Sequence, residues 1–160
     1  MKLFQTVLTI LIITGLALAC AGCTVKIENL TQNKTLPATY RVTVGNTTVY
    51  AEAANTPAKW EIGLMNRTYL NEDAGMLFIF PIQIQQSLWM KNMRIPLDIV
   101  FITADNHVLE IYASVPPCTS DPCPLYTSSA PVKYALEVNS GFCARHSIAS
   151  GDPVVIAAGS

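Results

Sequence analysis

Polar and apolar residues alternate with period two through Tyr40-Arg41-Val42-Thr43-Val44 and again through Val49-Tyr50-Ala51-Glu52-Ala53. This pattern predicts two strands, each with one solvated face. Gly45-Asn46 between them suits a two-residue hairpin turn with glycine at its first central position. Thr56-Pro57 then offers a cap and a first-turn proline. These open a short helix that carries Trp60 and Leu64 four residues apart and ends near Met65-Asn66.

From Gly75 onward the pattern is one of short apolar runs. Met76–Phe80 is continuous and meets Pro81, which predicts a buried strand ending there. Ser87–Asn92, Leu97–Ile102 and Val108–Tyr112 read as further strands, the last two joined by a turn at Ala104-Asp105-Asn106-His107. Five of the ten prolines fall between Pro116 and Pro131, predicting a rigid, non-regular excursion. Lys133–Val138 returns as a strand. Ser140 is placed to cap a short helix carrying Phe142, Cys143 and His146, and Val154–Ala157 is the final strand. The expected fold is a single mainly β domain over residues 39–160. It has a curved or barrel-like sheet of about seven to eight short strands and two short helices.

The N-terminus has another character. Met1-Lys2 precedes an uncharged run from Leu3 to Cys23, densest from Val7 to Ala19, and small residues follow it. That is the layout of a secretory signal over residues 1–23. Ala21-Gly22 before Cys23 resembles a lipoprotein processing site, with Cys20 as the alternative attachment point. The run is also long enough to span a bilayer uncleaved, and free secretion is a third outcome. All three put the folded part outside the cytoplasm, and the first two tether it to the membrane. Residues 24–38, rich in Thr and Asn, read as a tether. Glycosylation sequons stand at Asn29, Asn33, Asn46 and Asn66.

Composition narrows the partners. Charged residues make up 13% of the chain and the formal net charge is −1, which speaks against nucleic acid, whose phosphates require a basic patch. Cys118 and Cys123, close together in the proline-rich loop, are expected to pair in an oxidising compartment. Free thiols and a metal site, the latter in need of Cys143, His107 or His146, are the alternatives. Cys143 is then left as a small buried hydrophobe. A Cys143–His146 thiolate pair and soft copper ligation by Met65, Met76, Met90 and Met93 are weaker readings than core packing. No metal or cofactor is assigned.

Asp98 and Glu137 each lie in an otherwise apolar strand, where an unpaired charge is expensive. One reading is structural, with Arg67, Lys91 or Arg94 as partner or a carboxyl bonded to backbone. The other is a polar cleft in which Trp89 supplies a flat wall and Arg67, Lys91, Asn92, Asp98 and Glu137 supply hydrogen bonds to a small polar or saccharide-like ligand. Acid–base hydrolysis of envelope polysaccharide or peptide by Asp98 and Glu137 is the catalytic alternative.

Trp89-Met90-Lys91-Asn92 and Ile95-Pro96-Leu97-Asp98-Ile99 are specific in combination, and Gly63-Leu64-Met65-Asn66-Arg67, Gly75-Met76-Leu77-Phe78 and Leu136–Phe142 accompany them. Together with Val115–Cys118 and Asp121–Pro124 they resemble the family called domain of unknown function 192, from about Val49 to Ile156. The resemblance implies a small single domain, often behind a signal segment. It implies no reaction and transfers no catalytic residue. The Gln-rich stretch Pro81–Gln86, and Cys143 where a small alanine-like residue is usual, depart from the family pattern. The expected function is therefore a non-catalytic binding or assembly module at the outer face of the cell membrane.

Overall fold

The structure is a computed structural model that describes residues 39–159. The chain divides into two units, Met1–Thr35 and Leu36–Ser160, and the described residues belong to the second. The leader, Cys20, Cys23 and the sequons at Asn29 and Asn33 lie outside them. Among the described residues no helix is long and apolar enough to cross a membrane.

The elements are β1 (Thr39–Val44), β2 (Thr47–Ala54), α1 (Pro57–Ile62), β3 (Ala74–Ile84), β4 (Ser87–Trp89), β5 (Leu97–Ile102), β6 (Val108–Val115), β7 (Leu125–Thr127), β8 (Val132–Asn139), α2 (Phe142–Arg145) and β9 (Val154–Ala158). Seven strands form one sheet in the order β6-β5-β8-β3-β2-β1-β9. All neighbours are antiparallel except β2 and β3, which run parallel and are joined through α1. The outer strands approach each other at one end. There His107 bridges Pro153, Val108 N donates to Asp152 O at 2.9 Å, and Val154 N donates to Asn106 O at 2.8 Å. The sheet thus curls into a half-barrel, as the run of short strands predicted.

Both faces of the curl are covered, which explains the continuous apolar runs in β3 and β5. One face packs Val42, Val44, Val49, Leu77, Val100, Ile102, Leu136 and Val138 with Phe142 and Cys143 of α2. The other packs Phe78, Phe80, Ile99 and Phe101 against Leu64, Leu70, Leu88, Met90 and Met93, contributed by segments that wrap outside the sheet. Each large side chain buried in this way contributes roughly 1.5–3 kcal/mol. Cys118 and Cys123 are joined as a disulfide.

Five local expectations change. The first helix ends at Ile62 with Gly63 as its C-cap, rather than near Met65-Asn66, so Leu64 lies past it. The strand from Met76 does not stop at Pro81, because the pairing with β8 shifts register between Ile79 and Ile84. An irregular stretch tolerates a residue without an N–H. The Ser87–Asn92 strand shortens to β4, which pairs with β7 in a separate two-stranded sheet. That pairing also puts regular structure inside the proline-rich excursion, held by Tyr126 packed edge-on to Tyr112 at 5.4 Å. Finally, Ser140 does not cap α2. The cap residue is Gly141 with φ of 75°, and the first turn is bonded by a side chain from another strand.

Candidate functional site

That side chain is Asp98, fully buried on β5. Its Oδ1 accepts from Ser114 N at 2.7 Å and Gly141 N at 3.0 Å, and its Oδ2 accepts from Cys143 N at 2.9 Å. The carboxyl thus ties the end of β6 and the start of α2 to β5, the strand next to the edge of the sheet. Cys143 beside it is buried, and burial, reinforced by Asp98, pushes its thiol up to about 12. It stays a thiol at physiological pH and is not an activated nucleophile.

Glu137 has a different setting. In the antiparallel pairing of β5 with β8, Asp98 lies opposite Val138 and Ile99 lies opposite Glu137. Successive side chains alternate faces, so Asp98 and Glu137 project from opposite faces of the sheet. They do not flank a common cleft, and the paired-carboxyl arrangement for hydrolysis is absent. Glu137 is buried, at 4% exposure, among the side chains of the outer-wrapped face. Its Oε2 has no hydrogen-bond partner, and burial raises its pKa from 4.5 to about 8. At neutral pH burial favours the protonated acid.

The Glu137 carboxyl lines a small surface cleft with room for about one water-sized group. Local sequence builds the walls. Thr56 caps α1, Pro57 fills its first turn, and Gly63 ends it with φ of 49°, its N–H donating to Lys59 O at 2.9 Å. A Cβ on Gly63 would stand 3.2 Å from the Phe78 ring and 3.8 Å from Glu137 Oε2. Glycine is therefore required by the backbone, and a Cβ would also crowd the Phe78 ring, whereas its distance to the acid is an ordinary contact. Trp60 is fixed by its indole N–H, which donates to Ala54 O at 2.8 Å, and by its ring against Phe80 at 5.8 Å.

The opposite wall comes from β4 and the turn after it. Trp89 is 37% exposed, and Lys91 Nζ lies 5.4 Å from its ring centroid and 3.8 Å from an Asp121 carboxyl oxygen. The disulfide braces this segment, because Asp121 lies between its two cysteines and Cys118 N donates to Met90 O at 3.0 Å. Asn92 ties the two walls together. Its carbonyl accepts from Asn66 N at 2.9 Å and its Nδ2 donates to Met65 Sδ at 3.7 Å.

Of the six sequence-predicted binding residues, Trp89, Lys91 and Glu137 line this cleft. Asn92 supports its walls and Asp98 is on the other face. Arg67 is engaged elsewhere, with its Nη2 2.8 Å from Glu52 Oε2 in a two-pronged pair. This pair holds Glu52 below the usual carboxyl range. Sequence reasoning missed Trp60, Glu61 and Gly63 as wall residues. The signal for them was Gly63 directly after a capped amphipathic turn, which fixes where the helix ends and which side chains it leaves facing the sheet. Of the predicted glycosylation residues inside the described range, Asn46 and Asn66 are both exposed. Among the described residues no cluster of three or more His, Cys, Asp or Glu side chains is arranged to hold a metal.

No curated protein matches the chain. Two solved structures are similar to it. A Sinorhizobium meliloti 1021 protein, named provisionally as a transcription regulator, is 34% identical with a TM-score of 0.69, covering 74% of this chain and 94% of its own. A protein of unknown function from Novosphingobium aromaticivorans DSM 12444 is 34% identical with a TM-score of 0.68, covering 72% and 83%. Residues 40–156 match the family described as DUF192, Uncharacterized ACR, and the chain belongs to that family.

Proposed function

We propose that this protein is an exported, membrane-anchored binding module whose ligand site is the Glu137 cleft. The observation that carries the reading is the buried Glu137 carboxyl, whose Oε2 has no hydrogen-bond partner, lining a surface cleft. An unsatisfied buried polar group costs roughly 1–3 kcal/mol, and a ligand that satisfies it recovers that cost. The family strings support the same site, since Gly63 and Met65, Phe78, Trp89 and Lys91, and Glu137 come from four of them and meet here. Binding is favoured over catalysis because Asp98 is committed to backbone donors on the other face. The ligand is small and polar, or presents a slender polar tip.

The leader with Cys23, or alternatively Cys20, is the basis for anchoring at the extracytoplasmic face, and the Cys118–Cys123 disulfide suits an oxidising compartment. The formal net charge of −1 goes with a partner other than nucleic acid.

Both tryptophans of the chain line the cleft, so intrinsic fluorescence of the full chain in detergent reports on it directly. In a screen of small sugars, peptides and amines, at least one class is expected to give a saturable change that Glu137→Leu removes while leaving the circular dichroism intact. Binding that survives Glu137→Leu, or a silent screen, overturns the site. Mass spectrometry of membrane fractions is expected to find the leader cleaved and acyl chains on Cys23. An unprocessed cytosolic chain overturns the exported reading.

A further inference from the structure

The chemistry of the cleft specifies its ligand more closely than polarity alone. Gly63, Leu64, Phe78, Leu88 and Met93 line the same cleft as the Glu137 carboxyl. Apart from that carboxyl, these side chains offer no hydrogen-bond partner at the floor. A sugar ring would bury hydroxyls there without partners, and it would not pass a throat that admits little more than one water-sized group. Whatever reaches Glu137 must be narrow, with an apolar stem and one polar tip.

Charge selects the tip. The ionisable side chains lining the cleft are Glu61 on α1, Lys91 after β4, and Glu137 itself. The sheet neighbours of Glu137, Met76 and Ile99, carry no charge. Asp121 faces Lys91 at 3.8 Å, so together with Glu61 the mouth carries two carboxylates against one ammonium, a balance that favours a cation. Lys91 also shows that Trp89 accepts an alkylammonium against its ring, at 5.4 Å.

Resting on the cleft being a binding site, the geometry points to a primary ammonium at the end of an unbranched methylene chain as its ligand, the ammonium meeting the Glu137 carboxyl and the stem packing along Trp89. The binding step is balanced by one proton. Neutral Glu137 loses its carboxyl proton to solvent as the ammonium arrives, and the carboxylate and ammonium pair with no other bond changed. The same chemistry is offered by a free aliphatic amine and by a lysine side chain of a peptide.

The test follows tryptophan fluorescence of the full chain in detergent with four probes: n-butylamine, an acetylated and amidated lysine tripeptide, 1-butanol and butyltrimethylammonium. The first two are expected to saturate, with 1-butanol and the quaternary amine at least tenfold weaker. Affinity for n-butylamine should rise as pH is raised from 6 to 8. Glu137→Gln should weaken it at least tenfold, and Lys91→Gln, which removes a like charge from the mouth, should tighten it severalfold. Tighter binding of the tripeptide assigns a lysine-bearing partner, and equal or tighter binding of n-butylamine assigns a free amine. If 1-butanol binds as well as n-butylamine, the ammonium assignment is overturned while the cleft stands. If no probe of any kind moves the fluorescence, both fall.

Discussion

Two acidic residues in apolar strands turn out to have opposite roles, and the difference is one of sidedness. Asp98 is satisfied by three backbone N–H groups, whereas Glu137 Oε2 has no partner. Replacing Asp98 by Ala strips one buried and two part-buried donors of their acceptor. At about 1–2 kcal/mol each, the variant is expected to lose about 3–6 kcal/mol in denaturant unfolding, and an unchanged midpoint would refute this role. For Glu137 the effect depends on pH. Its folded pKa, about 8, lies above the ordinary 4.5. Below the ordinary value both states are protonated and nothing is lost. Between the two values the unfolded chain ionises while the folded chain keeps its proton, so stability falls as pH rises and levels off past 8. Wild type should therefore lose on the order of a few kcal/mol between pH 5 and 8 that Glu137→Gln retains, which chemical unfolding at several pH values will measure. Both residues were legible in the sequence as anomalies. Their faces were not, because facing depends on the register between β5 and β8, a pairing of strands distant along the chain.

At the scale of elements, the alternating strands were the easiest to read, since a half-solvated strand carries its own period. The β1–β2 hairpin forms around Gly45-Asn46 as its pattern predicts, with Val44 paired to Thr47. Elements fixed by packing were harder. The extension of β3 past Pro81 depends on a register shift, and β7 is three residues long and owes its place to Tyr126 packing against Tyr112. The cleft followed the same division. Trp89, Lys91 and Glu137 stand out by residue type, whereas Trp60 and Glu61 matter only because α1 docks beside β8. The disulfide belongs to this scale too, since it holds the loop that carries Asp121 against the turn after β4. The closed loop is short, so replacing Cys118 and Cys123 by Ser should cost about 2 kcal/mol. The sheet should survive, and circular dichroism should be unchanged. Emission from Trp89 should shift as Lys91 and Met90 lose their braces. Unaltered emission would show that the loop does not support the wall.

For the whole molecule, burial of both faces of a curled sheet explains a chain that is 51% hydrophobic and 13% charged. A sheet with one solvated face would need more polar residues. The curl also decides the order in which the fold can be completed. The first strand of the sheet lies between β2 and the last one, β9, with Arg41 paired to Ala157 and Val44 to Val154. Contacts that span nearly the whole domain form late and slowly. During synthesis, β1 leaves the ribosome with an unpaired edge and keeps it until Val154–Ala158 has emerged. Closure of this edge thus waits for the strand farthest along the domain, so a chain lacking Val154–Ala158 would expose β1 as an open edge able to pair with another strand.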